Sequence, residues 1–165
     1  MYKIDSTVTE PTLLKIPSIS DDRGYLVPIT DDIDHDLFRR CYVVGDYGTG
    51  VIRGLHYHKI EAKIFTIASG AAKFQTLKLP EDMADRNDED EIRDYAWNNP
   101  DSVKTFIMSD RHHAVLYVPP FYANGWISLE DRTVLTSLSS LRFEEAKDDD
   151  LRISPYVIDW NVIGR

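Results

Sequence analysis

An all-β sandwich, a double-sheet jelly roll, is the fold class this sequence predicts. Three observations lead there. Short runs rich in Val, Ile, Tyr, Phe and Thr recur along the 165 residues, each bounded by turn residues. The runs are closely and evenly spaced, which suits a sandwich or barrel. No self-similarity at a solenoid or propeller period competes with that reading.

The elements follow in order. A first strand is expected at residues 12–16 and a second at 25–29, after the turn Asp21-Asp22-Arg23-Gly24. Residues 40–45 are apolar enough for a buried strand, and Gly48-Thr49-Gly50 ends it. Alternation through 51–58 sends His56 and His58 to the same face, since strand side chains repeat with period two. Residues 63–68 and 72–79 read as a pair about Ser69-Gly70, and 104–108, 114–118, 125–128 and 133–137 complete the series. Only 81–101 breaks the rhythm: it is dense in charge and carries the apolar set Ile92, Tyr95 and Trp97. It reads as a short acidic loop or helical excursion that the apolar set pins down. Residues 1–165 are therefore expected to form a single domain, long enough to bury a core.

Composition narrows the function. A formal net charge of −9 argues against nucleic acid as partner, because such binding needs a basic footprint. No apolar run approaches membrane-spanning length, and Met1-Tyr2-Lys3-Ile4-Asp5 lacks the regions of a signal peptide. The one cysteine, Cys41, cannot form an internal disulfide, so a cytoplasmic location is expected. Cys41 reads as a buried small hydrophobe in Cys41-Tyr42-Val43-Val44. The acidic runs at 31–36, 81–91 and 144–150 read as solvated loops. An acidic chain holds a small anion by gathering its few cations in one cleft, and Arg23, Arg53 and Lys63 sit in motifs rather than charge runs.

The most informative stretch is Gly50-Val51-Ile52-Arg53-Gly54-Leu55-His56-Tyr57-His58, followed by Lys63 and Gly70. Its spacing resembles the first signature motif of the cupin superfamily, with Lys63 where metal-binding cupins place a glutamate ligand. An ammonium has no lone pair for a cation, so the substitution argues for an anionic ligand and a metal-free site with no cofactor. His112-His113 does not restore a metal set, because adjacent strand residues point to opposite faces.

Further motifs resemble the nucleotide-sugar branch of the cupins, the dTDP-4-dehydrorhamnose 3,5-epimerase family. They are Asp22-Arg23-Gly24-Tyr25, the Gly50–Tyr57 core, Ala62-Lys63, the stretch from Val118 through Asn124-Gly125-Trp126, and Ile158-Asp159-Trp160. Five motifs in the right order carry far more weight than one. The resemblance implies a cupin jelly roll, a homodimer, and epimerisation of a nucleotide-diphospho-4-keto-6-deoxyhexose. His58-Lys59, and more weakly Arg40-Cys41-Tyr42, resemble the related sugar-nucleotide 3,4-ketoisomerases, which makes that activity the alternative. A non-catalytic sugar-nucleotide-binding cupin is the other. Three family residues depart here: the turn histidine is Asn124, the catalytic tyrosine falls on Thr136, and Ile153-Ser154-Pro155 stands where the family has the aspartate that partners its histidine.

Proton transfer beside a ketone needs a base near neutral pH, a holder for the enolate oxygen and an acid. His56 is the expected base: a lone histidine is usually a core residue, but this one lies in the most specific motif of the chain. His58 is read evenly as second proton carrier or as support. Lys63, flanked by Ala62 and Ile64-Phe65, supplies a fixed positive charge. Arg23 and Arg53 are candidate phosphate grips, with a plain turn residue a serious competitor for Arg23. Tyr25 and Trp126 are candidates for stacking on base or sugar, and Asn124 for hydrogen bonds to sugar hydroxyls.

Overall fold

The computed structural model describes residues 3–162; residues 1–2 and 163–165, the ends of the expected domain and the start of the N-terminal reading, lie outside the described residues. Twelve strands are present among the described residues: β1 Thr12–Lys15, β2 Ile19–Asp21, β3 Gly24–Leu26, β4 Arg40–Gly45, β5 Ile52–Tyr57, β6 Lys63–Ser69, β7 Ala71–Lys78, β8 Val103–Ser109, β9 Ala114–Val118, β10 Tyr122–Ser128, β11 Val134–Ser139 and β12 Leu151–Arg152. Two five-stranded antiparallel sheets contain ten of them, in the orders β1-β9-β6-β11-β4 and β12-β5-β10-β7-β8. β2 and β3 form a separate hairpin.

Period-two alternation sorts the apolar side chains into three cores. Phe65, Ile67, Leu116 and Leu135 of the first sheet meet Phe74, Met108, Tyr122 and Trp126 of the second between the sheets. Ile64, Val115 and Tyr117 point the other way and pack beneath the N-terminal segment with Ile4, Ile16, Ile33 and Leu37. On the far side of the second sheet, Leu55, Tyr57, Leu77 and Ala123 pack against two helices and the C-terminal segment.

Those helices are the excursion. α1 Glu81–Arg86 and α2 Glu89–Asn98 replace the single turn or pinned loop expected there. Asp88 caps α2 by accepting from the Glu91 N–H, and the acidic first turn suits the positive end of the helix dipole. Ile92 and Ala96, one turn apart, are buried, and Tyr95 packs partly against them. Trp97 points outward at 85% exposure and pins nothing.

Two other expectations change. The strand expected at 25–29 ends at Leu26, because Pro28 has no N–H for a ladder; Val27 and Ile29 pack on the N-terminal core instead. Cys41 is exposed, not buried. β4 is an edge strand that turns Arg40, Tyr42 and Val44 inward, leaving Cys41 and Val43 on the open face.

β5 and β10 shape the floor of the site. Asn124 pairs with His56 but Trp126 pairs with Arg53, so β5 bulges by one residue at Gly54-Leu55. Gly54 has φ +121°, and a Cβ there would lie 2.7 Å from Gly125 Cα and 2.8 Å from the Asn124 carbonyl oxygen. Only glycine lets the two backbones meet this closely.

Candidate active site

One end of the space between the sheets opens as a cavity of about 680 Å³, ample for a small ligand. The first sheet contributes Arg40, Tyr42, Val44, Lys63, Phe65 and Leu135; the second contributes Ile52, Arg53, His56, Asn124, Trp126 and Arg152. His58 and Glu61 in the β5–β6 turn, Phe143 and Ala146 of the short helix α3 (Phe143–Ala146), Lys147 and Asp150 complete the wall.

His56 Nδ1 lies 2.8 Å from Asp150 Oδ1. A carboxylate only accepts, so Nδ1 carries the proton and Nε2 keeps its lone pair for the cavity. The His56 hydrogen bond is also the main reason the Asp150 carboxyl is held down to about 2 from an ordinary 3.8. This overturns the expectation that the aspartate partner is lost. The carboxylate comes from the run 144–150, read as a solvated loop, and not from the Ile153-Ser154-Pro155 position. Its neighbour Asp149 accepts from the backbone N–H groups of Lys59, Ile60 and Glu61, closing the β5–β6 turn.

His58 is buried and stacks parallel to His56, with ring centroids 6.5 Å apart and planes 6° from parallel. Its Nδ1 donates to the Asp149 carbonyl oxygen at 2.8 Å, leaving Nε2 as a buried lone pair with no hydrogen-bond partner. Burial, and after it the Lys63 charge, pushes the His58 pKa below its ordinary 6.5. The unfolded chain therefore takes up a proton near pH 6.5 that the folded chain refuses. The stability this brings is complete above 6.5 and is lost as the pH falls through the depressed folded value. In denaturation curves, the wild type should lose more stability than His58→Asn between about pH 7.5 and about pH 5. Equal losses would show that His58 carries no such term.

Lys63 is not a free cation. Its side chain is 7% exposed, and Nζ sits 2.6 Å from Glu61 Oε2 while donating to Tyr42 Oη at 3.2 Å. Glu61, buried at 2% exposure, also meets Arg40 Nη2 at 3.1 Å and the Ser139 hydroxyl, and lies 3.3 Å from His58 Nδ1. Glu61 went unnoticed in the sequence. Its signal was a lone carboxylate between His58 and Lys63, beside the apolar Ala62, Ile64 and Phe65. Removing Glu61 itself, which leaves Lys63 and Arg40 without their shared carboxylate, costs about 3–5 kcal/mol. Arg40 in turn stacks between Tyr42 and Phe143, its guanidinium carbon 5.1 and 5.7 Å from the ring centroids.

The tyrosine position also needs correcting. Thr136 shares its face of β11 with Leu138, which packs on the N-terminal core, so it turns away from the cavity. Ser137 faces inward and pairs across the ladder with Tyr42. The cavity's phenol beside Lys63 thus comes from the adjacent strand β4.

The remaining candidates divide. Arg53 lines the cavity, but its fork is held by Asp46 Oδ1 at 2.5 Å and the Gly45 carbonyl oxygen at 3.0 Å. Asn124 spends its amide N–H groups on the His56 and Tyr122 carbonyl oxygens, supporting β5 from below. Trp126 stacks on Phe74 at 6.1 Å and joins the core floor. Arg23 and Tyr25 are not brought to the cavity: both are exposed on the β2–β3 hairpin, Arg23 paired with Asp21 and Tyr25 beside His113.

The residues do not fit the metal that many cupins hold. An ammonium occupies the glutamate-ligand position, and repels a cation at the two histidines. Among the described residues no group of three His, Cys, Asp or Glu side chains is arranged to take one. No described helix is long and apolar enough to cross a membrane.

Two facing five-stranded sheets with a cavity between them, lined by charged and apolar side chains, make a jelly roll, and its fold is the RmlC-like cupin fold. Solved structures of nucleotide-sugar isomerases share it. The QdtA sugar 3,4-ketoisomerase of Thermoanaerobacterium thermosaccharolyticum, solved with TDP, matches with TM-score 0.64 and 22% identity over 90% of this chain and 91% of that one. The Mycobacterium tuberculosis rmlC epimerase matches with TM-score 0.70 and 19% identity over 97% and 78%. The dTDP-4-dehydrorhamnose 3,5-epimerase of Bacillus anthracis, solved with TDP and PPi, matches with TM-score 0.69 and 21% identity over 94% and 87%. No family model matches the sequence, and no curated protein matches it either.

Proposed function

We propose that the protein is a nucleotide-sugar epimerase acting on a nucleotide-diphospho-4-keto-6-deoxyhexose. One observation carries the reading: His56 on one sheet, backed by Asp150 from the loop before β12, faces a Tyr42–Lys63 pair on the other sheet across the same cavity. His56 Nε2 takes the proton from the carbon beside the ketone. The electron pair moves to the carbonyl oxygen, where the Lys63 ammonium stabilises the enolate. Tyr42 Oη accepts from Lys63, so its own proton is free to point into the cavity. Returned from the wall opposite His56, that proton inverts the carbon. Glu61 holds Lys63 in place, and the cations around the cavity favour a diphosphate-bearing ligand.

The stacked His56–His58 pair favours a second reading, 3,4-ketoisomerisation, in which both proton transfers take place on one face. The test is proton NMR in deuterated water with dTDP-, GDP- and CDP-linked ketosugars. Deuterium should enter the carbon beside the ketone with inversion; a ketone moved to the neighbouring carbon would select the second reading. No incorporation with any of them would end the enzymatic proposal. Tyr42→Phe should keep exchange on the His56 face but slow net inversion about 10²-fold or more. Inversion at the wild-type rate would remove Tyr42 as the acid.

A further inference from the structure

We propose that Arg152 holds the ligand's phosphates, at a subsite on the cavity rim next to the base. The inference rests on the nucleotide-sugar reading and concerns which side chain grips the diphosphate. Five cations line the cavity against two carboxylates, Glu61 and Asp150, in a chain of net charge −9. Four of the five are committed within the protein. Arg40 and Lys63 meet Glu61, Arg53 meets Asp46 and the Gly45 carbonyl, and Lys147 meets Glu144.

Arg152 is different. Among the described residues its guanidinium donates no hydrogen bond, and its nearest carboxylate oxygen is Asp150 Oδ2, 3.6 Å from Nε. The fork is thus left with donors to spare, in the planar arrangement that suits phosphate. Its placement follows from the ladder. Arg152 on β12 pairs directly with His56 on β5, and directly opposed residues of an antiparallel pair project on the same face. The guanidinium therefore starts one strand spacing from the base, about 5 Å away. With a sugar carbon at His56 Nε2, a diphosphate on the anomeric carbon of the same ring falls within reach of that side chain. Asp150 Oδ1 is engaged by His56, and Oδ2 stays 3.6 Å from Arg152 Nε, too far for a hydrogen bond, so the guanidinium keeps its donors for the ligand.

Titration calorimetry with inorganic pyrophosphate, dTDP, GDP and CDP tests this on the full chain. Arg152→Gln should weaken pyrophosphate and the preferred nucleotide about 10- to 100-fold, the range for a charge-assisted hydrogen-bonded pair. Arg111→Gln, an exposed arginine paired with Glu130 away from the cavity, should bind as wild type. At 79% side-chain exposure, Arg152 can be replaced with little effect on folding. Wild-type affinity in Arg152→Gln, or no binding of these probes by the wild type, would overturn the subsite. Solvent exchange on ketosugars separates the two claims. Exchange with unchanged affinity in Arg152→Gln removes the subsite alone; Arg152-dependent binding without exchange removes the enzymatic reading alone.

Discussion

His56→Asn is expected to cut turnover by about 10⁴-fold and to abolish solvent exchange into the ketosugar, the upper range for loss of a positioned general base. The imidazole faces the cavity, and its Nδ1 proton is held by the Asp150 carboxylate, which keeps the Nε2 lone pair available as a base. Asparagine can still donate to Asp150 but takes no proton at neutral pH. Asp150→Asn should be nearly as damaging, because an amide can donate to Nδ1 and so favour the wrong tautomer. The two residues act as a unit, so the double variant should be little worse than His56→Asn alone. The wild-type Asp150 carboxyl, held down to about 2, stays ionised through the working range. Any fall in rate on mild acidification therefore arises in other groups. The measurements are single-turnover rates and exchange rates, with thermal midpoints to confirm folding. A folded His56→Asn protein exchanging at the wild-type rate would end the assignment of His56 as base.

How much of this was legible in the sequence depended on distance along the chain. The jelly roll was legible because period-two alternation and turn residues are local signals. The two-residue strand β12 and the hairpin strand β2 were not, having too few residues to show a period. His56, His58 and Lys63 were legible because one strand and one turn carry them. Asp150 was not, because 94 residues separate it from His56. In sequence it is one of five acids in the run 144–150, with nothing local to distinguish it. Glu61 and Tyr42 fall between these cases. Both sat in view, but their roles depend on residues far along the chain: Arg40 and Ser139 for Glu61, and Lys63, two strands away in the sheet, for Tyr42. For Arg23 the turn residue named as its competitor describes what the structure holds, whereas for Arg53 the partner Asp46, seven residues away, carried no signal in the sequence. Asp21 pairs with Arg23 on an exposed hairpin away from the cavity, and Asp46 holds the Arg53 fork at the cavity wall, which is what left Arg152 as the cation to consider.

Lys63→Met is expected to lower turnover about 10²–10³-fold, equal to roughly 3–4 kcal/mol of transition-state stabilisation, while ground-state affinity changes little. The ammonium already holds Glu61 and Tyr42, so its remaining N–H is the one available to a developing enolate. That interaction strengthens as charge moves onto the oxygen, which is why kcat should fall with KM nearly constant. If Lys63 served only to attract the diphosphate, affinity and kcat/KM would fall together and kcat at saturation would hold. Methionine keeps most of the buried stem. Glu61 keeps Arg40 and the Ser139 hydroxyl on Oε1, so the buried carboxylate is not stranded without a partner. Lys63→Arg keeps the charge but displaces the donor, and should recover part of the rate only if the charge is what matters. A folded Lys63→Met protein with unchanged kcat would show that the enolate is held by another group, with Arg40, the other cation on Glu61, the next to replace.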